Sequence, residues 1–385
     1  MAGIYFHIPF CRKKCRYCNF YSVASKQQRE RFVEALLKEV ELSSSYLGGE
    51  TIETVYFGGG TPSQLEPSTI NMVFDALAGC HSLSPESEIT LEANPDDVTP
   101  AWLDELGKTP VNRLSLGVQS FFDDDLAFLG RAHDAAQAMR AVNLIREAGY
   151  HNLGIDLIYG IPNLTDRKWL ENLDRFLSFG LPHLSAYALT VEAGTPLARK
   201  IAKGDMAGPG EEETAVQFEM MMQFMEQAGY IHYEISNFAR EGYFSRHNTS
   251  YWKGIKYLGL GPSAHSYDGI SRQWNLPDVS IYIRSVMAGN VPFEKEILSL
   301  PDLYNEYVMT SLRTLWGIDL GHVESRFGKS FASHLENHAR KYLQQQYLSL
   351  AGNRLTLTFC GKLFADRVAM DLFADDDLSA ACPPA

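Results

Sequence analysis

A short β-rich run, a polar loop and an amphipathic helix follow one another repeatedly between residue 1 and about residue 190, and this recurrence constrains the fold more than any other feature of the chain. The expected strands are IYFHIP (4–9), TVYFGGG (54–60), EITLEAN (88–94), RLSLGVQS (113–120), NLGIDLIYG (152–160) and HLSAYALT (183–190). Between them, RERFVEALLKEVELSSSYL (29–47) spaces its apolar residues for one helical face. STINMVFDALAGC, AAQAMRAVNLIREAG and RKWLENLDRFLSFG behave alike. Strands alternating with helices specify an α/β fold with a parallel sheet. Six such units suit a barrel or an open part-barrel better than a Rossmann sheet, although periodicity alone leaves both open. Polar groups gather where the strands end: cysteines after the first, Gly-Gly-Gly-Thr after the second, Glu92 and Asn94, Gln119 and Ser120, then Asp156 within the fifth. In a β/α barrel that face carries the active site. Turn chemistry accounts for any one of these, less readily for five in register.

Residues 191–290 read as a barrel-extending section. It holds a Gly-rich joint, a Met-rich helix (214–229) best explained by core packing, and the run HNTSYW (247–252). Residues 291–385 read as a small domain whose end, helix then strand-like LTLT then helix, has a winged-helix pattern. Such folds often bind DNA. Here the acidic tail and a net charge of −13 argue against nucleic acid. The basic RKKCR segment is better placed to attract a small anion. No apolar run approaches the ~18 residues that span a bilayer. The start MAGIYFHIPFC lacks the features of a secretory signal, so a cytoplasmic location is expected.

Half of the six cysteines fall in CRKKCRYC: Cys11, Cys15 and Cys18, against scattered Cys80, Cys360 and Cys382. In a reducing compartment disulfides are not expected. Three thiolates at this spacing can hold three corners of a [4Fe–4S] cluster, leaving the fourth iron open. Zinc, which needs a fourth protein ligand such as His7, and unrelated reactive thiols are the alternatives. An open iron beside a Gly-rich loop suggests S-adenosylmethionine, whose amino and carboxylate groups can chelate it. The loop GGGTP (58–62) lets backbone approach a ligand closely, and the Thr61 hydroxyl adds a contact.

Taken together, YFHIPFCRKKCRYC, YFGGGTPS, LEANP, RLSLGVQSF, LGRAHD and GIDLIYGIP resemble the radical SAM superfamily, in its coproporphyrinogen oxidase-like branch, over nearly the whole chain. The resemblance implies a radical SAM partial (β/α)6 barrel with a small C-terminal helical, winged-helix-like domain. It implies that Cys11, Cys15 and Cys18 hold a [4Fe–4S] cluster. By the same motifs, Tyr5, Tyr17, Gly59, Gly60, Thr61, Glu92, Gln119, Arg131 and Asp156 line an S-adenosylmethionine site, with Thr190, Ala264 and His265 matching less closely. Glu92 and Asp156 would accept from ribose hydroxyls or the amino group, and Arg131 would pair with a carboxylate. The chemistry implied is one-electron cleavage of S-adenosylmethionine to methionine and a 5′-deoxyadenosyl radical.

Within that branch, oxygen-independent coproporphyrinogen III oxidases carry another cysteine two residues after the third, and an N-terminal extension. This chain has Phe20 there and ten residues before Cys11. Both features resemble the HemW heme chaperones, as does HNTSYW. That family implies heme binding and delivery to acceptors such as respiratory cytochromes or oxidases, with a flavodoxin or ferredoxin as electron donor. His247 would ligate the heme iron, and Tyr251 and Trp252 would stack on the porphyrin. His265, His232 or a cysteine are alternative ligands. Oxidative decarboxylation of coproporphyrinogen III, and another radical SAM reaction in which HNTSYW serves the fold, remain the rival functions.

Overall fold

The computed structural model describes residues 1–24, 27–375 and 378; Cys382 and most of the acidic tail lie outside the described residues. Six parallel strands pair in chain order: β1 (Ala2–Ile8), β2 (Ile52–Gly59), β3 (Leu83–Ala93), β4 (Arg113–Gln119), β5 (Leu153–Tyr159) and β6 (His183–Ala188). Helices Arg29–Leu42, Pro67–Cys80, Pro100–Leu106, Ala135–Glu147 and Asp166–Ser178 connect them. The first helix stops five residues short of its expected end, where serines and then Gly48–Gly49 follow. Ala135–Glu147 starts at a capping box between Asp134 and Gln137.

The row of strands does not close on itself. At one end β6 pairs antiparallel with β8 (Asn237–Ala239), which continues to β7 (Ile231–Glu234). At the other, β1 pairs in parallel with β9 (Tyr257–Leu260), which leads into an antiparallel run of β10 (His265–Tyr267), β11 (Ser271–Asn275) and β12 (Phe293–Ile297). The section after residue 190 therefore extends both flanks of a partial (β/α)6 barrel. The Met-rich helix, Glu211–Gln227, buries Met221, Met222 and Met225 in the main core, as the packing reading expects.

A second core lies in the C-terminal unit, around Tyr304, Val308, Phe327, Phe331 and Leu335. Its helices are Leu300–Leu312, Leu320–Phe327, Lys329–Gln344 and Ala365–Asp371. A small antiparallel sheet, ordered β13 (Ile318–Asp319), β15 (Arg354–Leu357), β14 (Leu348–Ala351), forms its wing. This unit spans the gap between the flanks. Arg313 meets Glu234 of β7 at 3.1 Å, and Glu306 meets Arg272 of β11 at 2.8 Å. No described helix is long and apolar enough to cross a membrane.

Glu39, on the first helix, holds one flank in place. It is 1% exposed and accepts from the Gly261 backbone N–H (2.7 Å), Asn275 Nδ2 (2.6 Å) and Tyr282 Oη (2.6 Å). A buried carboxylate is tolerated when its oxygens are filled by donors. These bonds fix the β9–β10 turn, which carries Ala264 and leads into His265 at the start of β10. Glu39→Gln would turn one acceptor into a donor facing a donor. It is expected to lower stability by about 2 kcal/mol in urea denaturation. An unchanged midpoint and slope would contradict this role.

Candidate functional site

The six strands are buried on both faces, but the faces differ. Ile4, Phe6 and Ile8, or Leu114, Leu116 and Val118, pack in the apolar core with the helices. Their alternates are polar or small: Tyr5 and His7, Thr54, Tyr56 and Gly58, Glu88, Thr90 and Glu92, Arg113 and Ser115, Asp156, His183 and Ser185. Period-two alternation sends these inward. Pairing then aligns them, Tyr5 beside Tyr56, Glu92 beside Ser115, and Asp156 beside Ser185. Tyr5 stacks on Tyr56, and Tyr56 Oη donates to Glu92 Oε1 at 2.8 Å. Ser115 Oγ reaches Asp156 Oδ1 at 3.4 Å.

The three cysteines lie on one loop, closed at its neck by Cys11 N–H to Val23 O (3.1 Å) and Val23 N–H to Pro9 O (2.7 Å). Their thiols are free and half-buried. Thr61 Oγ1 donates to Cys11 Sγ at 3.4 Å, and Arg131 Nη1 to Cys15 Sγ at 3.3 Å. Burial raises the Cys11 and Cys18 thiols, with hydrogen bonds opposing it. Among the described residues, no three His, Cys, Asp or Glu side chains converge as a single metal ion requires. Two of the four RKKCR charges are engaged within the protein. Arg12 pairs with Asp97 at 2.6 Å, and Arg16 Nη1 donates to the carbonyls of Ala127 and Phe128 at 2.7 and 2.9 Å. The loop spends two cations anchoring itself to the barrel.

Gly59 and Gly60 seat β2 against the root of this loop. Gly59 has φ +106°, and a Cβ there would lie 2.7 Å from the His7 ring. A Cβ on Gly60 would lie 2.8 Å from Ile8 O and 2.9 Å from Phe10 O. The close approach that only glycine permits is thus made to the protein's own backbone and ring. Arg131 is not paired with a carboxylate side chain; its Nη2 donates to Asn94 Oδ1 (2.6 Å) and Gly117 O (2.8 Å). Gln119 takes a left-handed φ of +70° at the end of β4, a strained conformation for a non-glycine residue of the kind that collects at functional sites.

Tyr5, Glu92 and His265 come together on one cavity of about 1500 Å³, with His7, Tyr56 and Tyr187. The cavity runs from Asn19, Phe20 and Tyr21 of the cysteine loop, past His247, Tyr251 and Trp252, to Tyr307, Trp316 and His322 of the C-terminal unit. Tyr17, Gln119, Arg131 and Asp156 do not line it. Thr190 is exposed beyond β6 and Ala264 is buried in the turn after β9. His247 sits on the short helix Arg246–Trp252, whose first N–H groups donate to the buried Glu88 carboxylate. Its ring is 1% exposed. Nδ1 hydrogen-bonds Thr54 Oγ1 and Nε2 hydrogen-bonds Tyr251 Oη, both at 2.8 Å. As folded, neither nitrogen is free for a metal. His232 is likewise engaged, by Ile235 O (3.0 Å) and Lys362 Nζ (2.9 Å), and lies off this cavity.

Sequence reasoning missed Tyr56 and Asn94 as partners of Glu92 and Arg131, and Arg113 as the buried cation behind them. The signal was present in the alternation along β2 and β4. Glu92 is half-buried and lines the cavity. Burial, reinforced by Asp156, raises its carboxyl from 4.5 to about 7 against the Tyr56 hydrogen bond. Asp156 is raised by burial to about 6, against Ser185 and the Arg113 charge. Folded Glu92 therefore keeps a proton that the unfolded chain has released between 4.5 and about 7, so its contribution to stability falls as pH rises through that window. Glu92→Gln retains an acceptor for Tyr56 and removes the titration. Its stability relative to wild type is expected to rise from about pH 5 to about pH 8, measured by urea denaturation at stepped pH. A difference that stays flat across the window would sink this.

The Radical SAM superfamily matches residues 5–177, and the HemN C-terminal domain matches residues 298–364. In fold, the chain is similar to coproporphyrinogen III oxidase (HemN) from Escherichia coli, with a TM-score of 0.84 at 24% identity, covering 97% of this chain and 90% of that one. In sequence it is 35% identical to the heme chaperone HemW of Mycobacterium tuberculosis, over 96% of this chain and 94% of that protein. It is 33% identical to the heme chaperone HemW of Lactococcus lactis, over 97% of each. With identity at this level sustained over nearly the full length of both partners, the chain belongs to the HemW family of radical SAM proteins.

Proposed function

We propose that this protein is a heme chaperone, which binds heme beside a [4Fe–4S] cluster and S-adenosylmethionine and hands it to acceptor proteins such as respiratory cytochromes or oxidases. The observation that carries the reading is the single cavity of about 1500 Å³ joining the cysteine loop to the C-terminal unit, walled by Phe20, Tyr251, Trp252, Tyr257, Tyr307 and Trp316. Flat aromatic walls suit a flat porphyrin. The volume exceeds the ~300–1,000 Å³ of an ordinary small-ligand pocket and leaves room for two ligands. The names of the relatives agree with it.

Cys11, Cys15 and Cys18 are the residues that would hold the cluster. Free thiols spread along one closed loop, with Thr61 and Arg131 donating to two of the sulfurs, suit the separated corners of a cubane. Glu92 lines the cavity and is the acceptor that a cationic ligand bearing hydroxyl groups requires; Asp156 and Arg131 lie off the cavity, where Asp156 adds to the burial that raises the Glu92 carboxyl and Arg131 donates to Cys15 Sγ. Loaded in this way, the site supplies one electron for reductive cleavage of a carbon–sulfur bond; the donor would be a flavodoxin or ferredoxin. The chain's own residues shield the thiols, hold Glu92 against Tyr56, and keep His7 and His247 neutral. Burial lowers those two imidazoles to about 4 and about 3.

Two measurements test the proposal. Anaerobic hemin titration of the reconstituted protein, followed by Soret absorbance, is expected to saturate at one heme per chain. Absence of saturable binding, or turnover of coproporphyrinogen III with release of CO2, would remove the chaperone reading. Replacing Cys11, Cys15 or Cys18 by Ala is expected to abolish the iron and sulfide bound after reconstitution. Cys80→Ala and Cys360→Ala should retain both; equal loss in all five variants would refute the assignment.

A further inference from the structure

The large cavity has two chemically different ends. The barrel end carries Tyr5, Tyr56 and Glu92, and His265 lies there beside His7 and over Trp274, with ring centroids 6.0 Å apart. The other end is walled by the C-terminal unit. There His322 packs against Tyr307 with ring centroids 4.7 Å apart, and Arg326 follows one turn later on the same helix, Leu320–Phe327. Residues four apart share a helix face, and both line the cavity.

Iron in heme needs a ring nitrogen with a free lone pair. Four histidines line the cavity: His7, His247, His265 and His322. His7 is engaged on both sides, by Tyr5 Oη at 3.2 Å and Tyr21 O at 2.9 Å. His247 is engaged by Thr54 and Tyr251. Using either would break a buried hydrogen bond and strand its partner. No described residue hydrogen-bonds a ring nitrogen of His265 or His322. His265 belongs to the end next to the cysteine loop, which leaves His322 as the imidazole open to a ligand at the C-terminal end.

The charges point the same way. A heme carries two propionates, which need cations that are not already neutralised. Arg272 and Arg354 also line the cavity, but they pair with Glu306 (2.8 Å) and Asp319 (3.5 Å). Among the described residues, Arg326 and Lys253 line it without an ion-pair partner. Lys253 Nζ lies 4.4 Å over the Trp316 ring.

We propose that heme in this cavity takes His322 as its axial ligand and sets a propionate against Arg326, while His247 is a positioning residue that holds Tyr251 and the Arg246–Trp252 helix in place. This rests on the heme-chaperone reading above.

The test is anaerobic hemin titration of the reconstituted full-length protein, comparing wild type with His322→Ala, His322→Gln, Arg326→Ala and His247→Ala, each checked for folding by circular dichroism. Loss of an outer partner of a ligand already costs about tenfold in metal affinity. Both His322 variants are therefore expected to bind hemin at least about tenfold more weakly, with a shifted Soret band that added imidazole restores. Arg326→Ala should weaken hemin binding but not binding of hemin dimethyl ester, whose propionates are blocked. His247→Ala should leave the band position where it is in wild type. A wild-type band and affinity in both His322 variants, or a band that moves only in His247→Ala, overturns the inference and leaves the chaperone reading standing. No saturable binding by wild type overturns both.

Discussion

Everything in the barrel depends on strands that are buried on both faces yet chemically two-sided. An all-apolar strand would pack as well against the helices but would fill the interior with hydrocarbon. Here most alternate residues of β1 to β6 are polar, aromatic or glycine, Ile52 and Ile158 being the aliphatic exceptions, and the parallel register brings these alternates side by side. Burying such groups is costly unless they satisfy one another. Tyr56 with Glu92, Ser115 and Ser185 with Asp156, and His183 with Tyr233 do so. The network fixes side chains before any ligand arrives, which is what a site of defined geometry requires.

The same economy explains the cysteine loop. A segment with three thiols and four basic residues has little apolar surface with which to hold itself. Its order comes from backbone bonds at the neck, from Arg12 and Arg16 reaching across to neighbouring segments, and from glycines that let β2 end directly beneath it. The donors aimed at Cys11 and Cys15 belong to the second and fourth βα units. The loop is therefore positioned by the barrel and not by its own sequence.

The regular part of this architecture was legible in the chain. Each expected strand of the first 190 residues matches an observed one to within a few residues, because strong alternation and helix periodicity are local signals. β3 begins five residues before the expected EITLEAN, since Leu83–Glu88 is polar and only its pairing with β2 makes it a strand. Other features could not be read locally. Residues 191–290 divide between two sheet flanks, a matter of long-range pairing that no window contains. Arg12 and Arg16 looked like free charges, because their partners lie more than eighty residues away. HNTSYW names residue types around His247; the Thr54 and Tyr251 contacts that occupy its ring come from the fold.

The C-terminal unit is clasped to the barrel at both flanks, and the two clasps are unequal. Glu234 is 1% exposed and also accepts from the Ser236 N–H and Asn237 Nδ2, so its pair with Arg313 sits in a low-dielectric, hydrogen-bonded setting. Glu306 and Arg272 are 30% and 36% exposed, and water and salt reach them. Screening weakens the exposed pair long before the buried one. Salt therefore acts first on the tie at β11, whose Arg272 and Glu306 line the cavity together with Arg326 and His322.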